Sequence, residues 1–88
     1  MTLLTGKRDK IMDARELTYG EKAVGLTFNP GGNALVQEAK EAYAKIIDNL
    51  DAIRTGTENG EVKRLCSIAI TEAQTAQMWA VKAITYQF

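Results

Sequence analysis

The C-terminal stretch RLCSIAITEAQTAQMWAVKAITYQF places basic and aromatic residues at a spacing that suits nucleotide binding. Trp79 lies one helical turn before Lys82. Two further aromatic residues follow, Tyr86 and Phe88. Aromatic rings stack on nucleobases, and cations beside them pair with phosphates. The alternative is an aromatic tail that seals an interface between subunits, and the pattern alone favours this alternative.

A second basic residue, Arg64, lies eighteen residues before Lys82. On one helix the two side chains share an azimuth but lie about 27 Å apart along the axis. A single chain therefore cannot bring both onto one small ligand. In an oligomer they either serve two different sites or reach one site from different chains.

No catalytic constellation is present in the sequence. There is no His and only one Cys, which excludes Ser/His/Asp and Cys/His sets, internal disulfides and the commonest metal ligand. NPGGN lacks the Lys and Ser/Thr that complete a phosphate-binding loop. Cys66 lies on the predicted core side of its helix, where inert packing is expected. We therefore expect a binding protein, not an enzyme, with no metal and no cofactor.

Length and charge restrict the class of protein further. A chain of 88 residues predicts a single domain, residues 1–88, with a core that is marginal alone, and this favours oligomerisation. Eleven basic residues balance eleven acidic ones, which disfavours bulk binding to DNA or RNA. No apolar run approaches the roughly 18 residues of a membrane span, and no signal peptide is recognisable. A cytoplasmic location without membrane attachment is expected.

Two loop signals divide the chain into helical segments. They are FNPGGN at residues 28–33 and TGTENG at residues 55–60. Before them we predict an irregular or helical arm over residues 7–17, then a short helix over residues 19–26. Thr18 and Glu21 supply a capping box for that helix. The fold class is therefore all-α, with a short N-terminal helix and two long antiparallel helices.

The first long helix is predicted to begin after Asn33, a good N-cap residue. Lys40 lies at the edge of its apolar stripe, where the side-chain stem can cover apolar surface while the ammonium group reaches out to solvent. The stripe itself consists of residues at helical spacing: Val36, Ala39, Tyr43, Ile46, Ile47 and Leu50.

The last helix has two sides that both look suited to packing. Its core stripe consists mostly of small residues: Val62, Cys66, Ala69, Ala73, Ala80 and Ile84. Its other side, here called the outer face, comprises Arg64, Ile68, Thr71, Thr75, Met78, Trp79 and Lys82. Twenty-five helical residues span about 37 Å, more than the diameter of a compact domain of this size. The outer face is therefore predicted to be an oligomer surface that also lines ligand pockets.

Several residues of the last helix fit the sequence pattern of a known protein family. In RLCSIAITEAQTAQMWAVKA, seven residues fit the C-terminal pattern of a known family: Arg64, Ile68, Thr71, Gln74, Met78, Lys82 and Ala83. An N-terminal Arg-x-Leu-Ser/Thr-x-x-Glu pattern is met by Arg15, Leu17, Thr18 and Glu21. The family is that of anti-CBASS protein two, small phage proteins that counter CBASS immunity by sequestering cyclic oligonucleotide signals. The chain resembles it over most of its length.

The resemblance implies an all-helical homohexamer without catalytic activity. Such proteins bind cyclic dinucleotides in pockets between paired subunits, and cyclic trinucleotides at separate sites near the threefold axes. By position, Lys40 is similar to the residue that engages cyclic dinucleotides, and Arg64 to the arginine that meets cyclic trinucleotide phosphates. The full set expected at the dinucleotide site is Arg15, Lys40, Trp79, Lys82, Tyr86 and Phe88. The set expected at the trinucleotide site is Arg64 and Leu65.

Three positions depart from the family pattern. Ala14 stands where an aromatic residue usually precedes the motif arginine, Leu65 replaces a Trp, and Lys82 replaces a common Arg. The family aromatic helps to hold cyclic dinucleotides. Tyr19 and Tyr43 are the candidates to substitute for it.

The resemblance therefore predicts a phage protein that acts in the cytoplasm of the infected bacterium. It would bind 3′,3′-cyclic dinucleotides such as cGAMP, and cyclic trinucleotides, and block CBASS effectors without degrading the messenger. Two alternatives stay open: a small helical phage protein that inhibits a host protein directly, and a structural oligomerisation module without a ligand.

Overall fold

The computed structural model describes residues 16–86, most of which are helical. Helix α1 spans Tyr19–Ala23, α2 spans Ala34–Gly56 and α3 spans Gly60–Ile84. Residues 16–86 contain no β-strand, so the all-α prediction is confirmed for this part of the chain. Most of the arm predicted over residues 7–17 lies outside the described residues.

Side-chain caps set where the helices begin. The hydroxyl of Thr18 accepts a hydrogen bond from the backbone N–H of Glu21, whose carboxylate accepts one from the N–H of Thr18, which confirms the predicted capping box. Asn33 caps α2, as predicted, by accepting from two backbone N–H groups, and Asn59 caps α3 in the same way. These bonds satisfy donors that the first turn leaves open.

Two predicted boundaries differ from the structure. Helix α1 ends at Ala23 instead of residue 26, because the chain turns at Gly25, which adopts a φ of 63°. That left-handed conformation favours glycine and cannot continue a helix. The second loop is shorter than the predicted residues 55–60. Helix α2 continues through Gly56, so only residues 57–59 lie between α2 and α3.

Contacts at both ends show that α2 and α3 run antiparallel, as predicted. Near the end of α2, the guanidinium of Arg54 donates to the hydroxyl of Ser67 at 3.0 Å, early in α3. At the other end, Val36 early in α2 and Val81 late in α3 line the same cavity. The two helices therefore form a hairpin whose open end lies beside the α1–α2 loop.

The core lies where α1 and its following loop cross the hairpin. It consists of Val24, Leu26, Ala44, Ile47 and Ile70. Burial of one such aliphatic side chain contributes roughly 1.5–3 kcal/mol. In α2 the predictions for Val36 and Ile47 are confirmed, whereas the prediction for Ile46 is wrong because its side chain is 48% exposed. The buried line runs through Ala44 instead, because α1 packs over that side of α2.

The close packing of α1 on α2 depends on a glycine. The backbone N–H of Gly20 donates to the carboxylate of Asp48 at 2.7 Å. A Cβ at residue 20 would overlap the carbonyl oxygen of Ala44. Gly20, which is unfavourable for helix propensity, is therefore what allows α1 to approach this closely.

Helix α3 turns its predicted core stripe inward. Cys66 is buried, and the other five stripe residues are half-buried. Ile70 and Gln77 are buried as well, which the predicted stripe did not include. On the outer face every residue is exposed except Thr75, which is half-buried. Within residues 16–86 there is no helix whose length and apolar character would suit a bilayer span.

Candidate functional site

The ammonium group of Lys40 occupies the centre of the open end of the hairpin. It donates hydrogen bonds to the carbonyl oxygens of Gly25, at 2.9 Å, and Phe28. The residue is only 5% exposed, so the prediction that its ammonium group reaches out to solvent is wrong. The cause is the α1–α2 loop, which folds over Lys40 and directs these two carbonyl oxygens towards the ammonium group.

Lys40 nevertheless retains the capacity to bind a ligand. An ammonium group has three N–H donors, and the two carbonyl oxygens take two of them. Lys40 also lines two surface cavities. Its charge therefore contributes to both cavities, although its position is fixed by the loop.

The two cavities share a wall formed by Phe28, Lys40 and Val81. The loop cleft, of about 360 Å³, is completed by loop residues 29–31 with Asn33, Val36 and Thr85. The helix cleft, of about 530 Å³, is completed by residues 22–25 with Gln77 and Met78. Both volumes fall in the range of small-molecule sites, roughly 300–1,000 Å³.

The loop that forms this wall is internally hydrogen-bonded. The backbone N–H of Phe28 donates to the carbonyl of Gly25 at 2.9 Å. The side-chain amide of Asn29 makes two hydrogen bonds to the backbone of Asn33. Its Nδ2 donates to the Asn33 carbonyl oxygen, and its Oδ1 accepts from the Asn33 N–H. Gly32, with a φ of 61°, donates to the carbonyl of Asn29. The NPGGN segment therefore holds a defined conformation next to Lys40.

Arg64 lies in a separate shallow cavity on α3. This cavity measures about 330 Å³ and is lined by Arg64, Ser67, Ile68, Thr71 and Glu72. Three of these residues, Arg64, Ile68 and Thr71, belong to the C-terminal sequence pattern. Thirteen residues of helix, about 20 Å, separate Arg64 from Gln77 in the helix cleft. Residues 16–86 therefore carry basic cavities in two separate regions, one around Lys40 and one around Arg64.

The guanidinium of Arg64 is engaged by a neighbouring carboxylate. It donates from Nε and Nη2 to the two carboxylate oxygens of Glu61, at 3.0 and 2.6 Å. The hydrogen bond from Arg64 lowers the pKa of Glu61 and, in return, raises the pKa of Arg64. A phosphate group can replace this carboxylate, because two of its oxygens can accept the same bidentate pair of hydrogen bonds from the guanidinium. Leu65 lies next to Arg64 and is 51% exposed.

Within residues 16–86, the other residues expected at the dinucleotide site are not brought to Lys40. Trp79, Lys82 and Tyr86 are exposed, and none of them lines either cleft. Arg15 and Phe88 lie outside the described residues. The candidate aromatic substitutes are also elsewhere: the ring of Tyr19 lies 5.4 Å from the guanidinium of Arg54, and Tyr43 packs against the core.

Of the residues that line the helix cleft, sequence reasoning had placed only Lys40 at the dinucleotide site, and Phe28 and Gln77 are among those it missed. Phe28 was treated only as the start of a loop, and no periodicity marks it. Gln77 continues the buried line that runs through Cys66, Ile70 and Ala73 at intervals of four, three and four residues. That spacing would have placed a polar side chain on the core side of α3.

Gln74, a position of the C-terminal pattern, has a structural contact. Its side-chain amide donates to the carbonyl oxygen of Ala23 at 3.2 Å. This bond joins α3 to the end of α1, 51 residues earlier, and satisfies a carbonyl in the last turn of α1. The pattern therefore combines fold-defining positions with exposed ones.

Comparison with known proteins assigns the family. The family described as Acb2/Tad1, hairpin domain, matches residues 21–85, which include α2, α3 and both clefts. No curated protein and no solved structure gives a significant match. Acb2 is the anti-CBASS protein two sponge family, so the resemblance inferred from the sequence is confirmed. Members are binding proteins, not enzymes. The chain belongs to the Acb2/Tad1 hairpin-domain family.

Proposed function

We propose that this chain is a phage sponge that binds cyclic dinucleotide and cyclic trinucleotide messengers and releases them unchanged. The observation that carries the proposal is that residues 16–86 hold basic cavities in two separate regions, the two clefts at Lys40 and the shallow cavity at Arg64. Two separate basic regions can serve two ligand classes. Family membership supports the general anti-CBASS role.

The dinucleotide site is built on the wall that contains Lys40. The third N–H of Lys40 donates to a ligand phosphate, and the remaining residues come from a neighbouring chain. This arrangement gives a role to Arg15, Trp79, Lys82, Tyr86 and Phe88, the residues that resemblance and pattern place at this site. The trinucleotide site uses Arg64 as the phosphate ligand and Leu65 as an apolar wall.

Assembly into a homo-oligomer, a hexamer by family resemblance, completes these sites. The support is the exposed apolar surface of α3: Trp79 is 65% exposed and Met78 is 63% exposed in the single chain. Large apolar side chains grouped on one face commonly mark an interaction surface. Residues 1–88 act together as one binding unit in this assembly.

Sequestration follows from affinity and abundance without turnover. Two phosphates met by basic residues from two chains, with two bases against apolar walls, give nanomolar binding, which corresponds to about 12 kcal/mol. In the cytoplasm of an infected bacterium the protein lowers free messenger below the level that activates a CBASS effector.

The test is calorimetric titration of the purified protein with cyclic dinucleotides and cyclic trinucleotides, with linear dinucleotides as controls. We expect tight binding of cyclic ligands only. Arg64→Ala should abolish trinucleotide binding and leave dinucleotide binding intact, whereas Lys40→Ala should do the reverse. Unfolding of each variant, measured in parallel, separates loss of a contact from loss of the fold.

The exposed α3 surface also favours one alternative function, direct inhibition of a host protein. Under this alternative no cyclic nucleotide binds, and Trp79→Ala abolishes protection of the phage while Lys40→Ala and Arg64→Ala retain it. Binding of a cyclic ligand together with loss of protection in Lys40→Ala or Arg64→Ala would exclude it.

A further inference from the structure

Phe28 is held in a fixed position with its ring in solvent. Its backbone N–H and carbonyl are both hydrogen-bonded, to Gly25 and to Lys40. The residue is 72% exposed, the highest value among the large hydrophobic residues within 16–86. The ammonium nitrogen of Lys40 lies 5.5 Å from the ring centroid. An aromatic ring on an anchored backbone, beside a cation and at the mouth of two cavities, is a preformed stacking surface.

Gln77 lines the same helix cleft from α3. The residue is only 6% exposed. Within residues 16–86 its side-chain amide has no hydrogen-bond partner, which is unusual because buried amides are almost always paired. A carboxamide presents a donor and an acceptor side by side. That pair matches the N6 and N7 edge of adenine.

The helix cleft also contains an exposed cation. Lys22 lies on its wall, and its side chain is 60% exposed, with a loose contact to Glu16 at 4.0 Å. Together with Lys40 it gives the cleft two positive groups, one buried and one exposed. The cleft therefore combines a stacking ring, cations and an amide that has no partner within residues 16–86, which are the elements that recognise a base and its phosphate.

We propose that the helix cleft binds one adenine base of a cyclic dinucleotide, with the Phe28 ring stacked on the base and the Gln77 amide hydrogen-bonded to its N6/N7 edge. The proposal rests on the function proposed above and adds the base and the two residues that recognise it. Lys40 then acts twice, as a phosphate partner and as the group that positions Phe28. The ligand satisfies the Gln77 amide, which has no partner within the described residues.

The experiment is calorimetry of the full chain with cyclic di-AMP, cyclic di-GMP and a cyclic tri-adenylate. The variants are Phe28→Ala, Phe28→Leu and Gln77→Leu. The matched control is Ile53→Ala, an exposed apolar residue near the other end of α2 that lines neither cleft. Thermal unfolding of each unliganded variant is recorded alongside.

We expect Phe28→Ala to weaken cyclic di-AMP binding by about 10- to 100-fold, with Phe28→Leu weakened nearly as much, because an aliphatic side chain cannot replace the ring. Gln77→Leu should remove the preference for cyclic di-AMP over cyclic di-GMP. It should also raise the midpoint of thermal unfolding without ligand, because a buried amide with no partner in the described part of the chain is replaced by an apolar group of similar volume. Ile53→Ala and all tri-adenylate titrations should match the wild type.

The results that overturn the inference differ from those that overturn the proposed function. If the wild type binds cyclic di-AMP and Phe28→Ala binds it equally well, the stacking role is wrong. If Gln77→Leu keeps the base preference and lowers the unfolding midpoint, Gln77 has a structural role only. A wild type that prefers cyclic di-GMP overturns the assignment to adenine. If the wild type binds no cyclic nucleotide at all, the proposed function itself is wrong.

Discussion

The carboxylate of Asp48 on α2 accepts a 2.7 Å hydrogen bond from the backbone N–H of Gly20 on α1. This bond satisfies a first-turn donor that α1 cannot pair internally. It also requires α1 to lie so close that no side chain fits at residue 20. The position of α1, and of the loop that leads to Phe28, therefore depends on this contact.

Gly20→Ala is expected to destabilise the protein by about 1–3 kcal/mol, because the new methyl group overlaps the backbone of Ala44 and separates α1 from α2. Denaturant unfolding measures the change. Gly60→Ala is the control: nothing lies within 4 Å of a Cβ placed there, so its stability should be unchanged or slightly higher. Equal stability of the two variants would contradict the close approach at Gly20.

Lys40→Met should lower the free energy of unfolding by about 1–3 kcal/mol, because the carbonyl of Phe28 loses its Lys40 donor and that of Gly25 keeps only the N–H of Phe28. Lys45→Met, at an exposed position of the same helix, should have little effect. Thermal or denaturant unfolding distinguishes them. A Lys40→Met variant as stable as the wild type would mean that the loop holds its conformation without the ammonium group.

The pKa of Glu61 should be found below its ordinary value of 4.5, because Arg64 hydrogen-bonds to the carboxylate. A lowered pKa in the folded state means that the ion pair stabilises the fold fully above the unfolded-state pKa. This contribution is lost as the pH falls through the lower, folded-state value. NMR titration of the Glu61 carboxylate measures it. In Arg64→Gln the pKa should return towards 4.5, and in Lys63→Gln it should stay low.

Glu61→Gln should strengthen binding of a cyclic trinucleotide by up to about fivefold, the range expected when an exposed ion pair no longer competes for Arg64. Calorimetry at constant ionic strength measures the gain. Cyclic dinucleotide binding in the same variant is the internal control and should not change. Weaker trinucleotide binding would show that Glu61 orients Arg64 for the ligand instead of competing with it.

Trp79→Glu should reduce the oligomer to a smaller species, because a charge replaces an apolar ring that is 65% exposed in the single chain. Light scattering gives the mass, and circular dichroism should show unchanged helix content. Lys45→Glu, also at an exposed site, should keep the assembly of the wild type. An unaltered mass for Trp79→Glu would exclude this part of α3 from the interface.

Features set by neighbouring residues could be predicted from the sequence. The caps at Thr18 and Asn33 follow from contacts within three residues, and the antiparallel hairpin follows from the short polar connection. The exposed outer face of α3 could be predicted equally well, because periodicity alone separates it from the core stripe.

Features that depend on distant contacts could not be predicted in the same way. Ala44 is buried and Ile46 is exposed, the reverse of what their sizes suggest, because α1 covers one side of α2. No local sequence pattern indicates which side that is. The burial of Lys40 depends on a loop twelve to fifteen residues earlier that folds back over it. Phe28 acquires its position through the same loop. Its relation to the clefts therefore appears only in three dimensions.

The enclosure of Lys40 has a consequence for its chemical reactivity. Acylation of a lysine needs the amine nitrogen to meet the reagent, and this nitrogen is held against two carbonyl oxygens at a residue that is only 5% exposed. Lys22, Lys45, Lys63 and Lys82 are exposed and should be modified first. Acylation of Lys40 then requires the α1–α2 loop to open. The rate at which Lys40 is labelled therefore reports how often the shared wall of the two clefts opens.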